Sequence, residues 1–242
     1  MSKCVEHVMG MPVSVDIRTP LPDRELVGLL DDAFAWLRWV DETFSTYRPG
    51  SQISRLARGE SLTPAADVDE VLARCAELRE ATDGYFSERA GGTLDPSGYV
   101  KGWAVERLSR ALTTAGAVSH CVNAGGDVRV RGSAAPGLPW RIGIRHPHDN
   151  TVCKVLFAHD LGVATSGAYE RGAHVLNPHT GRPAYGLASV TVTGPDLALA
   201  DAYATAIFAA GRPAFPLAAG YELLLIDTAG AATSTRGLVG IR

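Results

Sequence analysis

The sequence predicts an α+β protein whose strands outnumber its helices. An alanine-rich segment, 195–211, carries apolar residues at the spacing of an α-helix, between an aspartate that can cap it and a glycine that can end it. Several shorter segments, among them 13–17 and 221–227, have the alternating or continuous apolar pattern of strands. Because helices follow groups of strands, antiparallel or mixed sheets with packed helices are favoured over a doubly wound parallel sheet.

Length and composition are those of a globular chain. The 242 residues, 46 % hydrophobic and 20 % charged, suffice for a single domain over 1–242, with room for two closely packed lobes. The net charge of −3 gives no reason to expect nucleic acid as a partner. No segment has the length and apolarity of a membrane span or a signal-peptide core, so we expect no membrane insertion and a cytoplasmic location. The four cysteines are widely separated, which indicates reduced, mostly buried thiols.

The alanine-rich helix carries a carboxylate and a hydroxyl on one face. Asp196 is placed to cap this helix and Gly211 to end it. Asp201 and Thr205 are four residues apart and therefore lie one above the other. Their oxygens suit a hard cation such as Mg²⁺. The alternative is that Asp201 points to water while Thr205 bonds back to a carbonyl of the preceding turn.

The remaining elements follow from periodicity and turn residues. Helices are predicted over about 24–43, opened by the capping segment 20–23, over about 67–82, and from a glycine-rich loop to about 115. Strands are predicted over 5–18 with an interruption at 9–12, over 120–132 as two strands joined by a Gly-Gly turn, and over 140–145, 152–159, 161–165, 188–193 and 221–227.

Two loops have the composition of ligand-binding segments. The glycine-rich loop 91–98 leads into a helix whose free N–H groups can face an anion, and Lys101 adds a cation there. The helix dipole disfavours a cation near this end, so we expect Lys101→Met to weaken anion binding with little effect on melting temperature. The segment 44–56 crowds hydroxyls, an aromatic residue and two arginines, and either holds a polar, planar ligand or is a solvated loop entering a short helix.

An ordered set of motifs resembles the ApbE family, the FAD:protein FMN transferases. The motifs are Met9-Gly10, Ser45-Thr46-Tyr47-Arg48, Ser51-Gln52-Ile53-Ser54, Asp83-Gly84-Tyr85-Phe86, Asp95 with Lys101-Gly102, Asn123-Ala124-Gly125-Gly126-Asp127, Ala164-Thr165-Ser166-Gly167, the segment 174–183, and Ala200-Asp201-Ala202 with Thr205. They cover most of the chain in the family's order. The resemblance implies an ApbE-like, T-fold-related architecture.

The resemblance also implies an activity and a site. An enzyme of this family binds FAD and Mg²⁺, breaks the pyrophosphate, passes FMN to a threonine or serine hydroxyl of an acceptor protein and releases AMP. The implied FAD contacts are Met9, Tyr47, Tyr85, Phe86, Ser87, Asp95, Lys101, Thr165, Ala173 and His174. The implied metal ligands are Asp201, Thr205 and the backbone carbonyl of Gly98, and the implied catalytic residues are Asp201 and His174. His174 either accepts the acceptor's proton or is a hydrogen-bonded strut at a strand end.

Several departures from the family pattern leave alternative functions open. Ser87 stands where the family usually has aspartate, Asn177 replaces another aspartate, and the segment between Ser87 and Asp95 is shorter than usual. A Mg²⁺-dependent FAD pyrophosphatase and a flavin carrier without turnover therefore remain alternatives to the transferase. Nothing in the chain matches the motif that the family modifies, since the nearest stretch, 227–233, has glycine and threonine in other places. We therefore expect a separate acceptor protein that carries the flavinylation motif.

Overall fold

The computed structural model describes residues 2–149, 151–167 and 175–239 and has an α+β fold. In chain order the elements are β1 (Ser2–Val8), β2 (Met11–Ile17), α1 (Asp23–Phe44), α2 (Gln52–Ala57), α3 (Ala66–Ala81), α4 (Ser97–Thr114), β3 (His120–Ala124), β4 (Asp127–Arg131), β5 (Trp140–Arg145), β6 (Val152–Ala158), β7 (Asp160–Gly167), β8 (Leu176–Asn177), β9 (Arg182–Pro183), β10 (Leu187–Gly194), α5 (Leu197–Ala210), β11 (Glu222–Asp227), β12 (Ala232–Ser234) and α6 (Arg236–Val239).

Eight strands form the main sheet in the order β1-β2-β3-β4-β7-β10-β11-β12, and β5-β6 and β8-β9 form two small hairpins. Every strand pair among the described residues is antiparallel. Tight turns join β1 to β2 and β3 to β4. Met9 and Gly10 have φ values of 56° and 73°, and Gly125 and Gly126 have φ values of 57° and 102°. Two successive positive φ values are the requirement of the short hairpin turn whose twist matches the strands.

The helices α1, α4 and α5 cover one face of the sheet. Asp196 caps α5 by accepting a hydrogen bond from the Leu199 amide at 3.1 Å, and Gly211 ends it in the left-handed conformation with φ 70°, as predicted. The helix is buried nearly all round because it lies between the sheet and α4. At the start of α1 the expectation of a cap was wrong. Pro22 occupies the N-cap position without a side-chain hydrogen bond, and Asp23 is the first helical residue.

Strand β4 separates two apolar clusters and directs its charged side chains at the helices. Val128 and Val130 pack with Trp140, Ile142 and Leu156 of the β5-β6 hairpin. Because successive side chains of a strand alternate between faces, the charged residues of β4 point to the opposite side, where the helices lie. A charged strand face would ordinarily meet water, and here it meets α4.

Glu106 of α4 joins the charged face of β4 to the start of α5. Its Oε2 atom lies 2.8 Å from Nε of Arg129, which is 1 % exposed, and accepts a hydrogen bond from the Leu197 amide at 3.0 Å. Its Oε1 atom lies 3.0 Å from a guanidinium nitrogen of Arg131. A buried charge is tolerated when it is paired and hydrogen-bonded, and this network meets both conditions. The network fixes the position of the first turn of α5 relative to β4 and α4.

His120, fully buried in β3, is held in its neutral form. Its Nδ1 lies 2.6 Å from the Ala117 carbonyl oxygen, which can only accept, so Nδ1 carries the proton. Its Nε2 lies 2.7 Å from the Ser109 hydroxyl, which can donate to it. Burial, together with the nearby Arg131 and Arg129 guanidinium groups, lowers the pKa of His120 to about 4.

This histidine should make the protein less stable in mild acid. The pKa falls from about 6.5 in the unfolded chain to about 4 in the folded one, so the unfolded state binds the extra proton first. The contribution of His120 to the free energy of unfolding is therefore fully present above about pH 6.5, and it declines by about 3 kcal/mol as the pH falls towards 4. Denaturant unfolding at a series of pH values should show this slope, and His120→Gln should flatten it. The matched variant His7→Gln, at an exposed site, should leave it unchanged.

The strands β8, β9 and β12 are not predicted by the sequence, because they are too short to show a period. The helix α2 is the short helix that was one alternative for the segment 44–56. The four cysteines are free thiols, but the expectation that most are buried was wrong, because Cys75 is buried whereas Cys4 and Cys121 are partly exposed and Cys153 is exposed. Within the described ranges, no helix has the length and apolarity needed to cross a membrane.

Candidate active site

A cleft of about 410 Å³ opens where the β1-β2 turn, the ends of α1 and β7, the start of α4 and one face of α5 meet. The start of α4 and the middle of α5 contribute polar side chains to it, and aromatic and aliphatic side chains line the rest together with several hydroxyl-bearing residues. The lining residues that the sequence singled out are Met9, Tyr47, Tyr85, Phe86, Ser87, Asp95, Gly98, Lys101, Thr165, Asp201 and Thr205. The fold thus brings eleven predicted site residues from distant segments to one place. Ala173 and His174 lie outside the described residues, and the role of each predicted residue stays a prediction.

An ion-paired group of three side chains forms the floor of the cleft. Lys101 Nζ lies 2.6 Å from Asp127 Oδ2 and 3.5 Å from Asp201 Oδ1. Asp127 is 1 % exposed and Asp201 is 2 % exposed, while the lysine side chain is 24 % exposed and reaches the cleft. The alternative in which Asp201 points to water is therefore wrong. Burial raises the pKa of Asp201 above its ordinary range, and the Lys101 ammonium opposes part of that rise.

This geometry changes the expectation for Lys101. The lysine compensates two buried carboxylates, a role that the sequence did not show because Asp127 lies on another element. Removing one partner of a buried ion pair leaves an uncompensated charge and costs about 3–5 kcal/mol. Lys101→Met should therefore lower the melting temperature as well as the affinity for an anion. Thermal unfolding of Lys101→Met beside the surface variant Lys3→Met will measure the difference.

The backbone fixes the orientation of both carboxylates. The Thr165 amide donates to Asp127 Oδ1 at 3.0 Å, and the Gly102 amide donates to Asp201 Oδ2 at 2.9 Å. The Thr165 hydroxyl lies 2.9 Å from that of Thr191, which ties β7 to β10 beside the site. Each carboxylate is thus left with one oxygen directed at Lys101.

Glycines let α4 approach α5 closely. A Cβ atom on Gly98 would lie 3.2 Å from Thr205 Cγ2 and 3.5 Å from Thr205 Oγ1, and one on Gly102 would lie 2.8 Å from the Cβ of Asp201. This approach brings the Gly98 backbone, the Thr205 hydroxyl and the Asp201 carboxylate together. In an α-helix the Gly102 amide would donate to the carbonyl of Gly98, so its bond to Asp201 competes for that amide and leaves the carbonyl oxygen more available.

The outer part of the cleft is aromatic. Tyr47 is 90 % exposed, and Phe86, which also lines the cleft, is buried. Tyr85 makes an edge contact with His179, whose ring centroid lies 4.5 Å away, and His179 Nε2 lies 2.9 Å from the Asp83 carbonyl oxygen. Flat rings around an open mouth suit a planar, conjugated ligand.

The loop before α2 enters a short helix, as one of the two alternatives for its sequence states, and ligand binding by this loop stays a prediction. Ser51 caps α2 by accepting from the Ser54 amide at 3.0 Å, and Arg48 pairs with Asp41 at 2.6 Å. Arg55 pairs with Glu60 at 2.8 Å. The two arginines are therefore held in surface ion pairs, whereas Ser45, Thr46 and Tyr47 face the cleft.

Asp127 is a site residue to which the sequence assigns no role. In the sequence it is the last residue of a Gly-Gly-Asp motif. The alternation of β4 was a usable signal, because it places Asp127 on the same face as Arg129 and opposite Val128. What the sequence did not show is that α4, with Lys101, covers that face.

The fold and site define an α+β protein whose cleft has an aromatic mouth and a lysine-carboxylate floor. The model of the ApbE family matches this chain over residues 9–92 and 87–222. The chain belongs to the ApbE family.

Curated relatives of this chain carry the name FAD:protein FMN transferase. The one from Haemophilus influenzae is 33 % identical over 246 residues, which cover 74 % of this chain and 71 % of that protein. The one from Treponema pallidum is 36 % identical over 222 residues, covering 78 % and 60 %. The one from Escherichia coli K12 is 36 % identical over 129 residues, covering 49 % and 37 %. The chain thus spans little more than a third of the length of the Escherichia coli relative.

Solved structures share the fold. The ApbE protein from Thermotoga maritima superposes with a TM-score of 0.87 at 22 % identity, over 99 % of this chain and 98 % of that one. The flavin transferase ApbE from Vibrio cholerae superposes with a TM-score of 0.86 at 22 % identity, over 100 % and 99 %. The predicted α+β, ApbE-like fold is confirmed.

Proposed function

We propose that this chain transfers FMN from FAD to a threonine or serine hydroxyl of an acceptor protein and releases AMP. Family membership and the names of the relatives support the reaction class. The observation that carries the proposal is that an ammonium and two buried carboxylates meet beside a cleft whose lining also includes Tyr47, Tyr85 and Phe86. A flavin dinucleotide presents the matching groups, a planar ring system and a pyrophosphate.

The charges at the floor suit a pyrophosphate only when a divalent cation is present. With both carboxylates ionised, Lys101, Asp127 and Asp201 carry a net charge of about −1, which repels an anion. A bound Mg²⁺ changes this to about +1. When bound, such a cation would also neutralise charge on the pyrophosphate oxygens in the transition state.

The residues present fit Mg²⁺. Asp201 Oδ1, the Thr205 hydroxyl and the carbonyl of Gly98 are hard oxygen donors brought together by the close approach of α4 and α5. No set of three or more His, Cys, Asp or Glu side chains arranged for a metal occurs in the described part of the chain. A site with few protein ligands is typical of Mg²⁺, which keeps waters and takes further oxygens from substrate phosphates.

The transfer balances as a displacement at phosphorus. The acceptor hydroxyl oxygen bonds to the phosphorus on the FMN side, the P–O bond to the AMP phosphate breaks, and AMP leaves with that electron pair. Lys101, which contacts the cleft, stabilises the charge that develops on the leaving phosphate. The hydroxyl proton needs a base, and His174, outside the described residues, remains the residue that the sequence predicts for this role.

The aromatic lining supports the proposal that the flavin binds in the outer part of the cleft. Tyr47, Tyr85 and Phe86 offer ring faces and edges, and Met9 adds an apolar, adaptable contact. The residues between Phe86 and Asp95 still line the cleft despite the shortened segment, because Ser87, Ala90, Gly91 and Thr93 all reach it. The shortened segment therefore still forms part of the cleft lining.

Incubation with FAD, Mg²⁺ and an acceptor domain carrying an Asp-Gly-x-Ser/Thr-Gly-Ala-Thr type motif will test the reaction. Mass spectrometry should show one FMN-sized addition on the acceptor hydroxyl and none on this chain, with one AMP released per addition. The control is the same acceptor with its hydroxyl residue changed to alanine. AMP without modified acceptor would favour an FAD pyrophosphatase, and FAD binding without AMP would favour a flavin carrier. The cytoplasmic location stays a prediction from the sequence.

A further inference from the structure

We propose that His179 is a positioning residue that sets the orientation of the Tyr85 ring in the cleft lining. The inference rests on the proposed function, because Tyr85 is one of the residues expected to contact FAD. Tyr85 lines the cleft, whereas His179 is an exposed residue that does not. An effect of His179 on FAD binding is therefore expected to pass through Tyr85.

His179 contacts the turn before Tyr85 as well as the Tyr85 ring itself. The two rings meet edge to face, with 4.5 Å between their centroids and 65° between their planes. Its Nε2 lies 2.9 Å from the Asp83 carbonyl oxygen, which can only accept, so Nε2 carries the proton and donates. The hydrogen bond fixes the histidine ring, and the edge contact is a preferred geometry that favours one orientation of the tyrosine ring.

Glycine at position 84 permits this close approach. A Cβ atom there would lie 3.3 Å from His179 Cε1 and 3.5 Å from its Nε2. Gly84 also has φ 78°, in the left-handed region where a side chain would be strained. The absence of a side chain lets the histidine ring lie directly against the turn.

The segment that carries Tyr85 is held at both ends without His179. The Tyr85 amide donates to the Thr82 carbonyl oxygen at 3.0 Å, and the Phe86 amide donates to the Thr82 hydroxyl at 2.9 Å. The backbone of this turn therefore has its own hydrogen bonds. Removing the exposed His179 side chain should leave the fold intact and take away a partner of the Tyr85 ring.

Asn177 places His179 over the turn. Its Oδ1 atom accepts a hydrogen bond from the His179 amide at 2.9 Å, a side-chain turn that substitutes for a backbone one. The β8-β9 hairpin has only two residues in each strand and is too short to be stable alone, so its position depends on contacts such as that of His179. Val175 and Leu176, at the start of the same hairpin, line the cleft beside Tyr85.

Two substitutions separate the ring contact from the hydrogen bond. His179→Phe keeps a flat ring next to Tyr85 and loses the donor to Asp83, whereas His179→Gln keeps an N–H donor and loses the ring. Positioning of Tyr85 predicts that FAD binds more tightly to His179→Phe than to His179→Gln. A role limited to anchoring the turn backbone predicts the reverse order.

The experiment is a calorimetric titration of wild type and variants with FAD in the presence of Mg²⁺ and without acceptor protein, with AMP monitored to verify that FAD stays intact. His179→Ala should weaken FAD binding by about fivefold, the size expected for an aromatic contact that no longer orients its partner. Thermal unfolding should show a melting temperature within about 2 °C of wild type, since the site is exposed.

The matched control is His159→Ala. His159 is also exposed and also bonds to a backbone carbonyl, with its Nδ1 atom 3.1 Å from the Gly132 oxygen, but it lies outside the cleft. This variant should leave FAD affinity unchanged. In a Tyr85→Ala background, His179→Ala should change FAD affinity by less than about twofold, because the ring through which it acts is gone.

The outcomes separate this inference from the proposed function. Unchanged FAD affinity in His179→Ala, or binding by His179→Gln as tight as or tighter than that by His179→Phe, overturns the positioning role while wild-type turnover still stands. An equal loss in both Tyr85 backgrounds overturns it too, since His179 would then act independently of that ring. Failure of the wild type to bind FAD with Mg²⁺ overturns the proposed function and the inference together.

Discussion

Replacing Asp201 with asparagine is expected to reduce Mg²⁺-dependent AMP release from FAD by at least about a hundredfold. The change keeps the size of the side chain and an acceptor for the Gly102 amide, and it removes the charge of the proposed cation ligand. Because burial raises the pKa of this carboxyl, Mg²⁺ must also stabilise its ionised form to bind there. Steady-state AMP assays over a range of Mg²⁺ concentrations will measure the loss.

Two companion variants make this result specific. Thr205→Val removes only a hydroxyl from the same helix face and should give a smaller loss that excess Mg²⁺ partly restores. Asp16→Asn, outside the cleft, should leave AMP release unchanged. If Asp201→Asn kept wild-type turnover at limiting Mg²⁺, Asp201 would not be a metal ligand and the cation would have to be held elsewhere.

The sequence was sufficient for the features of α5 and of the β3-β4 turn that depend on local spacing. Asp201 and Thr205 are four residues apart on a capped, alanine-rich helix, so a shared face followed directly from helical geometry. The caps at Asp196 and Gly211 were predictable for the same reason, since each satisfies groups within its own turn. The Gly-Gly turn between β3 and β4 is also a local feature.

The sequence was insufficient where two elements meet. Arg129 and Asp127 have the alternation of a solvated strand face, and only the packing of α4 on that face turns them into buried partners of Glu106 and Lys101. No period relates a residue on β4 to one on α4. For the same reason the sequence suggested that Lys101 matters little for stability, because the helix dipole is a local effect and its carboxylate partners are tertiary ones.

Glycine at position 102 shows how closely the site depends on helix packing. A Cβ atom there would lie 2.7 Å from the Leu197 carbonyl oxygen, 2.8 Å from the Asp201 Cβ and 2.9 Å from the Ala198 Cα. These neighbours are backbone atoms or a Cβ, so none can rotate aside. A substitution must therefore move α5 away from α4, and Asp201 moves with it.

Gly102→Ala should consequently destabilise the protein by about 3 kcal/mol and lower its melting temperature by roughly 6–12 °C. The matched control is Gly28→Ala, within α1, where an added Cβ meets nothing within 4 Å and the residue is exposed. That variant should instead stabilise by about 0.5–1 kcal/mol, because alanine loses less backbone entropy in a helix. Thermal and denaturant unfolding will compare the two.

At a temperature where both variants are folded, AMP release should fall only in Gly102→Ala, since only there does Asp201 shift relative to Lys101. Equal stability of the two variants would mean that α4 and α5 are not in the close contact on which the candidate metal site depends.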